Sequence, residues 1–366
     1  MNRSLTQPTN LALGLVLILL IALPFFAPNY YVQFASKAML MGMLALSLNL
    51  VVGFGGLVSL CHAAFFGLAG YMLGFQSPES AGASLWLSLP VALLVVAAVA
   101  AVIGTLSLRT RGIYFIMVTL AFGEMLFYFF HDTKIGGGSD GLYIYFKPEI
   151  ALFGQTLIDL DNSRSFYLLV LASLVMTAGL IRGLVNSPFG HALQAARDNE
   201  RRALSLGFPV FRLRLMAFIL SAMIAGLAGY FSAAQFGFVA PQMLGWHLSA
   251  TVLVMVVLGG MSSILGPIVG AFALIGLEEV LKSAFEHWKL IKGLIIIALV
   301  FALPGGLQQL TRLVLPKSEG PHTGKDSDNQ PVEADHAANL GSLSDPMTGL
   351  IQPPMTSANA KGLQHV

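Results

Sequence analysis

The run LWLSLPVALLVVAAVAAVIGTLS, residues 85–107, contains no ionisable side chain. A transmembrane helix needs about 20 predominantly apolar residues to cross the hydrocarbon core of a bilayer. Nine further stretches are comparably apolar, and several contain glycine or proline: 11–27, 36–53, 57–76, 112–131, 166–185, 214–235, 248–264, 268–285 and 291–311. We therefore predict an all-α polytopic membrane protein with about ten transmembrane helices, some of them short or broken.

The composition of the whole chain agrees with this class. Of 366 residues, 56% are apolar and 10% are charged, and the mean hydropathy is +0.76. Soluble proteins carry about a quarter charged residues, so this chain has too few to cover a surface that faces water. The net charge of +2 gives no case for nucleic acid as a partner. A single cysteine, Cys61, excludes an internal disulfide framework and a metal site built from cysteines alone.

The distribution of lysine and arginine predicts the orientation in the membrane. Segment 182–214 holds six arginines against two acids, and the short turn 107–112 holds two more arginines. Both are therefore expected in the cytoplasm. The long connection 131–165 holds five acids against three basic residues and is expected outside. Ten spans threaded through these assignments place both termini in the cytoplasm.

The chain divides into a transmembrane domain, 1–315, and a C-terminal tail, 316–366. Residues 318–366 hold six acidic and two basic residues among proline, glycine and small polar residues. Such a segment cannot bury enough apolar surface to offset its ordering entropy, so we predict a disordered cytoplasmic tail. At the other end, no small-x-small cleavage site precedes Pro24, so an uncleaved first helix is favoured over a signal peptide.

The motifs of common catalytic and metal sites are missing from the sequence. No Gly-x4-Gly-Lys-Ser/Thr loop is present to cradle ATP phosphates, since the Gly-Lys pair at 324–325 is followed by Asp326. No His-Glu-x-x-His motif occurs, and no Cys or His pair has metal-ligand spacing. We therefore expect no enzyme, no catalytic residue, no metal and no cofactor bound by this chain. Transport or channel activity remains as the natural role.

Segment 186–212 is the most distinctive polar element. Ser187-Pro188 is typical of a helix start and Gly207 of a helix stop, which predicts one helix over about 191–206. Four alanines leave a thin surface that a partner could approach closely: Ala192, Ala195, Ala196 and Ala203. Two interpretations stay open from the residues alone, a docking helix and a solvated basic loop that obeys the positive-inside rule.

The motifs of this segment resemble the cytoplasmic coupling loop of ABC importer permeases. The resemblance rests on SPFG (187–190), DNERRA (198–203) and LG (206–207). Matches in order along residues 40–310 narrow it to the LivM-type permease subunit of branched-chain amino acid importers. They are LVSLCHAAFFG (57–67), RGIYF (111–115), TLAF (119–122), GGGSDGL (136–142), GGM (259–261), LGP (265–267) and PGGL (304–307).

The resemblance implies one half of the translocation path of an ABC importer for branched-chain amino acids in the bacterial inner membrane. Its implied partners are a second, related permease subunit, two ABC ATPase subunits that bind the ATP, and an extracytoplasmic substrate-binding protein. In the coupling loop, Arg201 stands where importers usually have the Glu of a Glu-Ala-Ala-x3-Gly pattern. The implied ATPase-coupling residues are Arg197, Glu200, Ala203 and Gly207.

Residues inside the apolar stretches are candidates for the translocation path. His62 takes either a pathway role or that of a buried histidine bonded to a nearby backbone carbonyl. Glu124 either attracts a substrate ammonium group or bridges two helices. Paired glycine interruptions in the two halves mark either the path or close helix packing. These glycines are Gly53, Gly55 and Gly56 in one half and Gly259, Gly260 and Gly266 in the other, and the candidate path residues among them are Gly55, Gly56, Gly259 and Gly260.

Three other functions compete with this interpretation. A urea or short-chain amide ABC permease is the nearest alternative. The permeases of such importers look similar, and the pocket that selects the substrate belongs mainly to the binding protein. An ion-coupled secondary transporter needs several intramembrane ionisable residues, and Glu124 with His62 is a thin supply. An integral membrane enzyme needs a cluster of acid, base or nucleophile, which the sequence does not show.

Overall fold

The structure, a computed structural model, describes residues 8–78, 82–152, 155–158, 160–261 and 263–302. The predicted tail, 316–366, lies outside the described residues. Twelve α-helices occupy the described part: α1 (Pro8–Phe26), α2 (Asn29–Asn49), α3 (His62–Gln76), α4 (Leu85–Ser107), α5 (Ile113–Asp132), α6 (Ser163–Val185), α7 (Pro188–Asp198), α8 (Glu200–Ser205), α9 (Val210–Phe236), α10 (Trp246–Gly259), α11 (Gly266–Ala284) and α12 (Trp288–Ala302).

The prediction of a polytopic, all-α membrane protein is confirmed. Within the described ranges, six helical segments are long and apolar enough to cross a membrane: Asn29–Phe54, Leu85–Ser107, Ile113–Asp132, Ser163–Val185, Val210–Phe236 and Pro241–Gly259. Each of the ten predicted stretches overlaps one of the helices. However, α3 has only 15 residues, so the count of ten spans stays a prediction.

Four short strands lie in or beside the predicted outer connection, 131–165. Strand β1 (Leu142–Tyr143) pairs antiparallel with β4 (Phe238–Val239), which fastens this connection to the end of α9. Strand β2 (Ile150–Leu152) pairs with β3 (Gln155–Ile158). These strand pairs have no signal in the sequence, because two to four residues are too few to show an alternating pattern.

The centre of the bundle is formed by α2, α3 and α9. Of the 18 most apolar consecutive residues of Asn29–Phe54, which is α2 with the turn that follows it, 89% are buried, against 22% for α5, so α2 is a core helix and α5 a peripheral one. Helix α9 packs along α3 and α4, while α2 packs against α6, α9 and α11. The approach of α9 to α3 is close at Gly229, where an added Cβ would lie 1.8 Å from the carbonyl oxygen of Phe66.

The two glycine interruptions meet at one end of this bundle. Helix α2 ends in a π-helical turn, Leu50–Phe54, and the chain then turns at Gly56 with φ of +68°. The side-chain Nδ2 of Asn49 donates to the carbonyl oxygen of Ser263, 2.9 Å away, in the α10–α11 turn. We call residues 49–56, together with the described residues of 259–266, the glycine junction.

Candidate functional site

The predicted coupling loop folds as two short helices, so the prediction of one helix over 191–206 is wrong. The break lies at Asn199, whose φ of −153° is extended and whose side-chain oxygen accepts the N–H of Arg202 at 3.0 Å. Asparagine is a favoured N-cap, and here it starts α8. The predicted cap at the first helix is confirmed, since Ser187 Oγ accepts the N–H of Gly190 at 3.3 Å.

The alanines of the loop face its interior, so the predicted thin contact surface is wrong for three of the four. Ala192, Ala196 and Ala203 are buried, and Ala203 is only 1% exposed. Ala203 packs with Ala196 and Val210 in a small apolar cluster that joins α7, α8 and the start of α9. Small side chains are needed here because the two short helices approach each other closely. Only Ala195 remains at the surface.

Three larger apolar side chains are exposed on the loop. Leu206 is 69% exposed, and Leu204 and Phe208 are exposed as well. An open hollow of about 590 Å³ adjoins Phe208 and is lined by Asn186, Pro188, His191, Ala192, Ala195 and Phe208. This surface was not among the predicted contacts, although three apolar residues within a basic segment are a signal for it. A patch of this kind, rimmed by charges, is typical of a protein-binding site.

Glu200 fastens the loop to two membrane helices. One carboxylate oxygen lies 3.0 Å from Arg111 in the turn between α4 and α5, and the other lies 3.0 Å from Arg214 in α9. Arg214 is only 16% exposed and also donates to the carbonyl oxygen of Ala196. The Glu200–Arg214 pair is partly shielded from water and holds its geometry better than an isolated surface pair, whereas Arg111 is 80% exposed. Glu200 therefore serves to hold the loop in place.

Arg197 connects the predicted coupling loop with the first of the two predicted glycine interruptions. Its Nη1 donates to the carbonyl oxygen of Gly53 at 2.6 Å, across 144 positions of sequence. Its Nε and Nη2 lie 2.9 and 2.8 Å from one oxygen of Asp198. Gly207, by contrast, has nothing within 4 Å of an added Cβ, and its role is its φ of +82°. This positive φ is the geometry expected of the helix stop.

His62 is buried in the core and fully hydrogen-bonded. Its Nε2 lies 2.7 Å from Ser221 Oγ, which donates its proton to the carbonyl oxygen of Ser47, and its Nδ1 lies 3.2 Å from Ser59 Oγ. A serine hydroxyl has one proton, so Ser221 accepts the Nε2–H of the imidazole. The histidine thus reaches a backbone carbonyl through a serine, which supports a packing role in this conformation.

Glu124 connects two helices. Its carboxylate accepts the backbone N–H of Trp246, the first residue of α10, at 3.1 Å. The first N–H groups of a helix lack partners within the helix, and a negative charge there is favourable. Helix α10 has no side-chain cap of its own, because Gly245 stands at its N-cap position. The bridging interpretation of Glu124 therefore has a specific partner.

We predict that Glu124→Gln keeps substrate uptake within about twofold, because the amide oxygen still accepts the N–H of Trp246. Glu124→Ala should destabilise the protein by about 1 kcal/mol, the typical cost of a lost N-cap. Thermal unfolding in detergent and uptake assays at matched abundance measure the two effects. A large loss of uptake in Glu124→Gln with normal unfolding would instead show that the charge attracts the substrate.

The predicted pathway glycines lie in close backbone contacts. An added Cβ at Gly259 would lie 1.9 Å from the carbonyl oxygen of Gly266, and one at Gly55 would lie 2.7 Å from that of Val51. Gly260 has a φ of +105°, which L side chains rarely adopt. The Gly259 contact, between the end of α10 and the start of α11, supports the packing interpretation, whereas the Gly55 contact lies within its own turn of the chain. Among the described residues, no group of three His, Cys, Asp or Glu side chains is placed to hold a metal.

Comparison with known proteins identifies the family. The model of the family described as branched-chain amino acid transport system / permease component matches residues 30–301. The chain belongs to this permease family. It is 32% identical to the high-affinity branched-chain amino acid transport system permease protein LivM of Escherichia coli (strain K12). The 339 aligned residues cover 87% of this chain and 80% of the relative. The LivM protein of Salmonella typhimurium (strain LT2) gives the same figures.

A weaker similarity concerns a different importer. The autoinducer 2 import system permease protein LsrC of Klebsiella pneumoniae is 37% identical over 150 residues, which cover 38% of this chain and 42% of the relative. No solved structure matches the chain. The resemblance to LivM-type permeases is thus confirmed, and the chain is a multi-pass membrane permease subunit of an ABC importer. Permeases of this family are not enzymes, and ATP is used by their partner ATPases.

Proposed function

We propose that this permease forms half of a translocation path for branched-chain amino acids and receives the energy of ATP hydrolysis through segment 186–212. The observation that carries the coupling proposal is the construction of this loop. Two short helices are held to α4–α5 and α9 by Glu200, while Leu204, Leu206 and Phe208 face outward. A rigid element with an exposed apolar surface suits docking to a separate subunit better than a solvated loop does.

The proposed assembly contains four kinds of subunit. A second, related permease completes the path, one of two ABC ATPases docks at segment 186–212 of this chain, and a binding protein delivers the substrate from outside. The substrate is inferred from the LivM relatives, which are named for branched-chain amino acid transport and match most of this chain. Arg197, Glu200, Ala203 and Gly207 shape and hold the docking loop, and the ATPase contact itself belongs to its exposed apolar side chains.

Co-purification tests the class of this transporter. A tag on this chain should recover two ATPases and the second permease from cells that express the neighbouring importer genes. Replacing Leu206 with glutamine should weaken recovery of the ATPases while leaving the second permease bound, because only the exposed loop surface changes. Recovery of an active transporter with no ATPase would instead favour the ion-coupled secondary transporter.

The orientation and the ten spans are part of the proposal. We predict that a reporter inserted in segment 186–212 reads cytoplasmic and that one near Asp140 reads external, because arginines concentrate in the first region and acids in the second. Fusions of alkaline phosphatase and of green fluorescent protein at both places measure this. A cytoplasmic signal near Asp140 would contradict the ten-span topology.

A further inference from the structure

We propose that Arg197 is the residue through which the coupling loop moves the glycine junction. This inference rests on the proposed function, since it assumes that an ATPase acts on segment 186–212. Arg197 is a positioning residue in this scheme, because it links two parts of the protein and does not contact the substrate.

The guanidinium group is oriented from the loop side. Asp198, the next residue on α7, accepts hydrogen bonds from Nε and Nη2, which leaves Nη1 to point at Gly53. Both N–H groups reach the same oxygen of Asp198, whose side chain is 66% exposed, so this contact orients the guanidinium but does not lock it. The stem of Arg197 lies against Gly56, where an added Cβ would come within 2.5 Å of Cγ. A movement of α7 therefore reaches the glycine junction through two contacts of Arg197, one from Nη1 to Gly53 and one from the stem to Gly56.

The carbonyl of Gly53 lies where α2 has lost regular helical geometry. The chain forms a π-helical turn at Leu50–Phe54, and the last carbonyls of a helix lack partners within the helix. Arg197 supplies such a partner with a charged donor at 2.6 Å. Single π-helical turns occur frequently at functional sites, and a helix end that contains glycines bends more easily than one without them.

The neighbours of Gly53 extend this link to the other half of the chain. An added Cβ at Gly53 would lie 2.2 Å from the carbonyl oxygen of Met261 in the α10–α11 turn. Asn49, one turn earlier on α2, donates to Ser263 in the same turn. The α10–α11 turn is therefore in contact with the end of α2, so a displacement of Gly53 also displaces this turn. Both glycine interruptions would then respond to one loop residue.

The test uses Arg197→Gln, Arg197→Lys and the control Arg182→Gln in the reconstituted importer with its ATPases, second permease and binding protein. Arg182 is exposed at the end of α6, outside segment 186–212, and makes no side-chain contact with the described residues. Its replacement by glutamine therefore removes the same charge as Arg197→Gln without breaking a contact. We expect Arg197→Gln to lower uptake by about tenfold, the scale of a lost charge-assisted hydrogen bond, while ATP hydrolysis persists. Hydrolysis should no longer rise when loaded binding protein is added.

Arg197→Lys should fall between the wild type and Arg197→Gln, because an ammonium group can donate to Gly53 but cannot be held by Asp198 in the same way. A merely structural role for Arg197 would lower ATPase binding or abundance and leave the ratio of substrate moved to ATP hydrolysed unchanged. That unchanged ratio in Arg197→Gln would overturn the inference.

Hydrogen–deuterium exchange provides a second readout, which does not depend on uptake. In the wild-type complex, exchange of the peptide that contains residues 49–57 should change when ATP is added, and in Arg197→Gln this change should be lost. An equal change in both proteins would overturn the inference. If the wild-type importer itself moved no substrate with ATP, the proposed function would be wrong before Arg197 was tested.

Discussion

Replacing Gly229 with alanine should leave most of the protein misfolded. The added Cβ would lie 1.8 Å from the carbonyl oxygen of Phe66 and 2.8 Å from its Cα, so the clash is with backbone and no side chain can rotate away. Helix α9 would have to move off α3 in the centre of the bundle. Overpacking of a core costs about 1–3 kcal/mol and more when backbones must separate, which exceeds the roughly 1 kcal/mol gained from helix propensity.

The matched control is Gly276→Ala in α11, because an added Cβ there meets nothing within 4 Å. Both substitutions are the same chemical change in a helix, so only the surroundings differ. Fluorescence-detected size-exclusion chromatography of detergent extracts measures the folded fraction. We expect a normal monodisperse peak for Gly276→Ala and its near-complete loss for Gly229→Ala. Equal peaks would show that α9 and α3 are not as close as described.

Replacing Ala203 with tryptophan should abolish uptake by breaking the coupling loop from inside. Ala203 packs with Ala196 and Val210 and has no room for an indole ring, so α8 must separate from α7. The ion pairs of Glu200 with Arg111 and Arg214 would then be lost as well, since Glu200 lies at the start of α8. We expect uptake to fall at least about a hundredfold while membrane insertion is kept, because two elements of the docking loop fail together.

Ser205→Trp is the control for loop integrity, because Ser205 is exposed on the same short helix. Limited proteolysis of segment 186–212 separates the two variants. The loop should be cleaved rapidly in Ala203→Trp and should resist cleavage in Ser205→Trp. Resistance in Ala203→Trp, together with normal uptake, would show that this segment neither packs as described nor couples transport.

The class of the protein and the local signals could be predicted from sequence because they depend on neighbouring residues. A run such as 85–107 has no stable place outside a membrane, and Ser187 and Gly207 act within one helical turn. The break at Asn199 was also visible in principle, since Asn followed by Glu is typical of a helix start. The stronger start and stop signals at Ser187 and Gly207, however, favour one longer helix between them.

The contacts of the site could not be predicted, because they join residues far apart in the chain. Arg197 and Gly53 are separated by 144 positions, and Glu200 meets Arg111 only when α4 and α5 are in place. The alanines were predicted to face a partner because small residues suit close approach. That reasoning was correct in kind, but the partner of Ala203 is the loop itself.

The most direct test of the proposed function is ATP-driven uptake by the complete importer in proteoliposomes. The vesicles contain this chain, the second permease and two ATPases, with binding protein and radiolabelled leucine on the outer face of the importer. Leucine should accumulate only when ATP and binding protein are both present, and unlabelled isoleucine or valine should compete while urea does not. Accumulation of urea in place of leucine, or leucine uptake driven by an ion gradient without ATP, would contradict the account.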